Sequence, residues 1–447
     1  MQYRDVFRQP HLVWLWLSQI TSAIGDQLYT VAVIWIAVER GNGAAGYVAA
    51  AGTFVGLFLN PVAGVLADRW DKRSTMVAVD LLRAVIVLGL AIVGQFTTLT
   101  LVHLAIATIL VSGLGCLFDP CMGASLPEFA GNKLETLKGM NALMQLNRQF
   151  ARTIGPGAAG WLATMLPIHQ FFALDSVSFV LSAAVIFSLV KNVSGEKINS
   201  ETAEALTDMH IADAVSSVSL VEAGINSGTT SGVYPVVNQS SAKQRSIPEV
   251  RNVFAEMSNG ISLVLSHIHL KWLFGFAALA NIAYGPAVIV GFPLWAKQLP
   301  HSGLATYGIL VAFYGAGGFL NIVVSMFKTH QFMFWYCFGW LVFGSGLFII
   351  GRSSDLPLAC LGATIAPIGG AFIGLMTSLV IQTDIPREHL GKIFSLAAFA
   401  VCLGDFLGLL LAPILYSMVD ARDGISISAV LPAMLGILGM IKFRQRK

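Results

Sequence analysis

The side chains best placed to do chemistry in this chain are charges stranded in apolar sequence. Asp26 stands in Gly25-Asp26-Gln27, about fourteen residues and some 20 Å into the first apolar run by helix rise. An ionised carboxylate at that depth in hydrocarbon is costly unless it faces a cavity or a partner. Desolvation and a watery side together suit such a group to carry protons. Arg148 and Arg152 stand at i, i+4 in a later run, hence on one helix face. Two neighbouring guanidiniums hold an anion, or pair with a membrane acid. Asp405 is a further deep acid and a candidate second titrating site. Asp175 falls a few residues from the end of its run, where a structural role is expected.

A second set of charges is packed into a loop. Gly64-Val65-Leu66-Ala67-Asp68-Arg69-Trp70-Asp71-Lys72-Arg73 lies between two long apolar runs, 44–67 and 75–94. Acid and base squeezed into a tight turn beside helix ends form a network able to hold two helix bundles together in one state and release them in another. We expect Gly64, Asp68, Arg69, Lys72 and Arg73 to act as that latch, with Asp80 and Arg83 extending it along the same face. Asp119-Pro120 is read as ending the fourth helix near this side. Gly155-Pro156-Gly157-Ala158-Ala159-Gly160 is a different signal. Small residues let helices approach closely, and proline removes a backbone bond and bends the helix.

These residues need apolar helices to hold them. The 447 residues are 55% hydrophobic and 11% charged, whereas a soluble protein carries about a quarter charged residues. Lipid is therefore the expected solvent. Runs able to span occur near 12–38, 44–67, 75–94, 99–118, 141–165, 169–190, 271–296, 304–327, 332–351, 356–381, 392–418 and 425–441. Backbone in hydrocarbon must be paired within its own segment, so each run is a helix. The fold expected is an all-α membrane protein of twelve spans in two pseudo-symmetric six-helix bundles. Residues 1–190 form the first bundle, 191–250 a polar and largely flexible cytoplasmic tether, and 251–447 the second bundle. Within these, 203–223 is a weaker helix signal and 248–267 reads as amphipathic and surface-lying. Bases of the loops and termini favour one face: Arg4, Arg8, Arg69, Lys72, Arg73, Lys133, Lys138, Lys191, Lys197, Lys243, Arg245, Arg251, Lys328, Arg387, Lys392, Lys442, Arg444, Arg446 and Lys447 fall there, against only Arg40, Lys297, Arg352 and Arg422 on the other. By the positive-inside rule both termini are cytoplasmic.

The loop 64–73 resembles the signature loop between the second and third helices of the major facilitator superfamily, with matches at Gly64, Leu66, Asp68, Arg69, Lys72 and Arg73. Asp71 stands where that family usually has glycine. Together with Gly25-Asp26, Asp80-Leu81-Leu82-Arg83 and Pro386-Arg387-Glu388-His389-Leu390-Gly391-Lys392, it is similar to the macrolide-efflux and enterobactin-exporter branch. Gly155, Pro156 and Gly160 resemble the fifth-helix motif of the antiporters. The echo of the loop expected near 328–331 keeps only Lys328.

The resemblance implies a secondary active transporter in the cytoplasmic (inner) membrane, a proton-coupled exporter of a drug, macrolide or siderophore working by alternating access. Its partners would be a small-molecule substrate, protons and membrane lipid, with no nucleic acid, and it would act as a monomer. An importer or lipid flippase on the same fold, or a non-transporting sensor using 191–250, are the alternatives. No Gly-x-x-x-x-Gly-Lys-Ser/Thr, His-Glu-x-x-His or Gly-x-Ser-x-Gly pattern is present. Neither an enzyme, nor a metal site, nor a cofactor is expected. The five cysteines, in or beside apolar runs, read as small packing residues.

Overall fold

Long apolar runs with no competing partner for their backbone close into helices, and helices are what the chain forms. The computed structural model describes residues 6–131, 134–189, 264–299, 303–320, 324, 331–386 and 390–444, with the side chains of 61–62, 64–69, 134–135 and 391–392 lying outside that description. Before the tether come α1 (Pro10–Gly41), α2 (Ala45–Arg69), α3 (Lys72–Phe96), α4 (Leu101–Phe129), α5 (Leu134–Leu162) and α6 (His169–Leu189). After it come α7 (Ile268–Gln298), α8 (Leu304–Gly318), α9 (Phe332–Arg352), α10 (Leu356–Asp384), α11 (Leu390–Met418) and α12 (Ala421–Arg444). The expectations for the tether 191–250, for 203–223, for most of 248–267, and for Lys328 and Arg387 lie outside the described residues.

Local chemistry sets the ends. Asp71 caps α3, its Oδ2 accepting from the Ser74 N–H at 2.8 Å. Thr100 caps α4 in a reciprocal pair with His103, and Asp355 caps α10 through the Leu358 N–H at 2.9 Å. Pro10 opens α1, where its missing N–H is no loss. α4 differs from expectation. It does not stop at Asp119-Pro120 but continues through Pro120 and Pro127 to Phe129. Asp119 is therefore mid-helix rather than terminal.

Nine stretches among the described residues are long and apolar enough to cross a membrane. The difference from twelve has physical causes. α1 and α2 are joined by a single 3₁₀ turn, Asn42–Ala44, and count as one stretch. α5 carries Glu135, Lys138, Arg148 and Arg152, and α8 has 15 residues.

The helices alternate in direction, which defines two ends of the molecule. The Asn42 end carries the α1–α2 turn, and there Arg352 at the close of α9 meets Asp423 at the start of α12 at 3.3 Å. The Asp71 end carries the α2–α3 turn, and there His269 of α7 meets Asp384 of α10 at 2.9 Å.

The halves meet chiefly along three seams. α5 packs on α8, α2 on α11, and α1 on α7. The first seam is made of the small residues singled out above: a Cβ at Gly160 would lie 3.0 Å from the Ala305 carbonyl oxygen, and one at Gly308 would collide with the Pro156 carbonyl. In the second, Gly43 lies against Pro413 and Tyr416, and Gly46 against Ala412. In the third, Lys297 donates to the Val38 carbonyl at 3.4 Å and to Asn42 Oδ1 at 2.9 Å. Beside it, Trp35 of α1 stacks on Tyr307 of α8, centroids 6.1 Å apart. These contacts run from the Asn42 end down to Gln149 of α5, whose amide donates to the Gly315 carbonyl at 3.3 Å.

Candidate functional site

Below that seal, between the two halves, lies a cavity of about 410 Å³. Its walls are chemically unequal. The first half supplies Asp26 from α1, Asp80 and Arg83 from α3, Asp119 from α4, and Arg148 and Arg152 from α5. The second half supplies Asn281 and Tyr284 from α7, Tyr307 and Tyr314 from α8, and Trp340 and Phe343 from α9, with no formal charge. One wall is ionic and the other aromatic.

α7 changes character where it meets the cavity. Gly285–Gly291 is a π-helical turn holding Pro286. Widened turns of this kind form where the regular ladder is interrupted. The Pro286 carbonyl accepts from the Tyr416 hydroxyl of α11 at 2.9 Å. The insertion directly follows Tyr284, which lines the cavity. The Trp340 indole N–H, buried on the same wall, has no hydrogen-bond partner among the described residues. Aromatic faces with few committed polar atoms suit a flat apolar guest.

On the ionic wall, Arg148 donates to Gln145 Oε1 at 2.5 Å and lies within electrostatic range of Asp119. Arg152, one turn further, lies within range of Arg148 and of Tyr284 in the opposite half. Gly155 follows, and a Cβ there would stand 2.5 Å from the Gln27 Cβ, so this glycine lets α5 close on α1 beside Asp26. Arg83 is clamped between two rings, its guanidinium 5.8 Å from the Phe118 centroid and 5.3 Å from that of Phe179. A side chain at Gly115 would collide with it.

Several expected site residues thus converge and others do not. Asp26, Arg148 and Arg152 share the cavity. Asp80 and Arg83, expected to extend the loop network, line the cavity as well, since they sit two to three turns into α3 rather than at its start. Asp405 does not line it. Tyr284 does, and lies within electrostatic range of both Asp405 and Arg152. Asp175 is fully buried, six residues into α6, hence about 9 Å from its start. Of the loop, Arg73 pairs with Glu128 at 2.6 Å and lies 5.1 Å over the Phe129 ring, tying α3 to α4 within the first half. Hydrogen bonds from Ser74 hold the Asp71 carboxyl below the usual range, while Gly64, Asp68 and Arg69 lie outside the described side chains. Asn281, Tyr307 and Trp340 went unnoticed in the sequence as cavity residues. Nothing in their spacing marks them, because only the packing of α7, α8 and α9 turns them inward.

Residues 15–443 match the model of the Major Facilitator Superfamily. The chain is similar to the uncharacterized MFS-type transporter YvqJ of Bacillus subtilis (strain 168), 21% identical over 393 residues, 86% of this chain and 80% of that one. It is also 26% identical over 213 residues to the uncharacterized MFS-type transporter YfiS of the same organism, 46% of this chain and about half (49%) of that protein's length. Among solved structures it resembles a bacterial homologue of the iron transporter ferroportin in an inward-facing state, with TM-score 0.67, 13% identity, and 97% and 98% of the two chains covered. It likewise resembles the peptide transporter POT in complex with sulfate, at TM-score 0.66, 12% identity and 96% and 94% coverage. At such identities these structures speak for the fold alone.

Proposed function

The chain belongs to the Major Facilitator Superfamily, and from that membership we propose that it is a proton-coupled exporter of medium-sized organic molecules. It is a multi-pass membrane transporter and not an enzyme. The finer reading places it in the cytoplasmic membrane as a monomer, with the Asp71 end and both termini inside, because the loop bases concentrate there. The seal at the Asn42 end then closes the outer face, and the conformation is inward-facing.

One observation carries the reading: a cavity at the interface of the halves pairs an ionic wall with an aromatic one. Its volume of about 410 Å³ falls within the roughly 300–1,000 Å³ of drug-sized sites. An amphipathic guest would lay its flat body on Tyr284, Tyr314 and Trp340 and set its polar groups toward Arg148 and Arg152. Asp26 is the coupling acid. It lies half-buried on the cavity wall, where water and guest both reach it. A proton drives transport only if it changes the relative free energy of the two states. When the halves rock, Asp26 changes surroundings because α1 borders α7 across the moving interface. Lipophilic drugs, macrolides and siderophores are the substrate classes we favour.

The test is a substrate screen in a pump-deficient strain expressing the chain or its Asp26→Asn variant. The expected result is raised tolerance to at least one such compound with the parent, lost with the variant at equal membrane abundance. Uptake rather than efflux, followed in inverted vesicles with a pH-sensitive dye, would overturn the direction. Proton-linked efflux that survives Asp26→Asn would remove Asp26 from the mechanism.

A further inference from the structure

Behind Asp26 lies a second acid that neither the loop nor the cavity explains. Asp175 of α6 is fully buried, and Asp80 of α3 is 1% exposed. Asp175 is pressed onto the residue that precedes Asp26: a Cβ on Gly25 would collide with both the Asp175 carboxylate and the Ser178 hydroxyl. Glycine at position 25 is what lets this acid reach α1 at all. The Ser178 hydroxyl shares its proton between the Asp175 backbone carbonyl at 2.8 Å and Asp175 Oδ1 at 3.2 Å, while Oδ2 has no partner among the described residues. The Tyr29 hydroxyl, on a side chain 7% exposed, is also without a partner there, and lies within electrostatic range of both Asp26 and Asp175.

Charge balance makes the arrangement informative. Arg83 lies within electrostatic range of Asp26, Asp80 and Asp175. Asp119 also faces Asp26, but has Arg148 within range as its own counter-charge. Ionised throughout, the inner group would set three negative charges against one positive. Neighbouring carboxylates, two of them buried and one half-buried, resist ionising together when a single cation serves the set. Among the described residues no group of three or more His, Cys, Asp or Glu is arranged to hold a metal ion.

We propose that Asp175 is a proton-holding partner of Asp26, so that the coupling proton is shared within a cluster of α1, α3 and α6 wholly inside the first half. Asp26 meets the cavity water and exchanges the proton. Asp175, sealed behind Gly25, shares it, and Arg83, fixed by Phe118 and Phe179, stabilises the charge that remains. On loading, a proton from cavity water adds to a carboxylate oxygen; on release it returns to water, and no other bond changes. The inference rests on Asp26 being the coupling acid, and gives it a neighbour that sets when it takes up its proton.

The experiment is a pH titration of the full-length protein in lipid nanodiscs, following the carbonyl stretch of protonated carboxyl groups by infrared difference spectroscopy. Parent, Asp26→Asn, Asp175→Asn and Ser178→Ala are compared in potassium and in sodium salts. The parent is expected to show two coupled carboxyl transitions. Asp175→Asn should remove one and move the survivor to lower pH by roughly one unit, as loss of a like charge requires. Ser178→Ala, which keeps both acids should Asp175→Asn fail to fold, should move one transition to higher pH. Transitions untouched by Asp175→Asn, or by Ser178→Ala where that is the variant in hand, would overturn the proposal. So would midpoints that follow sodium, which would assign the cluster to a metal cation. No substrate is needed, so the two readings fail separately. Shifts as stated with efflux indifferent to Asp26→Asn would sink the coupling role alone. Efflux dependent on Asp26 with no shift would sink the pair alone.

Discussion

Single residues in this protein are constrained by what touches them. At Gly25 an added methyl group meets a carboxylate and a hydroxyl on a helix that cannot retreat, because Ser176 of the same helix is bonded to the Ala84 carbonyl at 2.9 Å. Overpacking of this kind costs about 1–3 kcal/mol. Gly25→Ala should therefore lower the thermal midpoint in detergent, while Gly89→Ala, inside α3 where a Cβ meets nothing within 4 Å, should not lower it and should raise it slightly, as replacing a helical glycine does. Asp71 offers a case with a pH signature. Its carboxylate caps α3, and the Ser74 hydrogen bonds hold it below the ordinary value. Removing such a cap costs about 1 kcal/mol. A depressed carboxyl contributes in full above its unfolded value, about 4, and loses that contribution as pH falls through the folded one. The stability gap between parent and Asp71→Ala, measured by thermal melts, should be open at pH 7 and should close in stronger acid.

Elements matter here through the seams they share. The α5–α8 seam is built from Pro156, Gly160 and Gly308, whose backbones touch. Gly308→Leu should keep the halves from closing at the Asn42 end, abolishing turnover at normal membrane abundance. A distance measured between spin labels on α5 and α8 should lengthen. The α1–α7 contact is weaker and polar. Lys297→Met deletes the bonds to Val38 and Asn42, worth about 1 kcal/mol, and should shift the sealed population by about fivefold in the same measurement. The α2–α3 turn is the element expected to engage when the other face closes. In the present conformation Arg73 is held by Glu128 inside its own half. Asp68→Asn should slow turnover more than it weakens binding, and a pure affinity loss would show that the turn is no latch.

For the molecule as a whole, the two halves carry different duties. The charges of the cavity all belong to the first half, and most of its aromatic surface to the second. Rocking one against the other therefore changes how an ionic wall and a largely apolar wall face each other, as the proposed coupling would require. Since the described residues already enclose the cavity, deleting most of the polar 191–250 stretch should leave transport largely intact, measured as tolerance in the screening strain.

The sequence by itself determined the solvent and the rods. Apolar length dictates helices, two sets of them flanking a polar stretch, because hydrocarbon leaves the backbone no other partner. It also marked Asp26, Arg148 and Arg152, because a charge is conspicuous where charges are scarce. Only the tertiary structure decided which way each charge points. Spacing along a helix places a residue on a face, but which face meets water depends on neighbours distant in the chain. So Asp80 and Arg83 proved to line the cavity, Asp405 fell outside its wall, and Asp175 came to rest against Gly25, some 150 residues away.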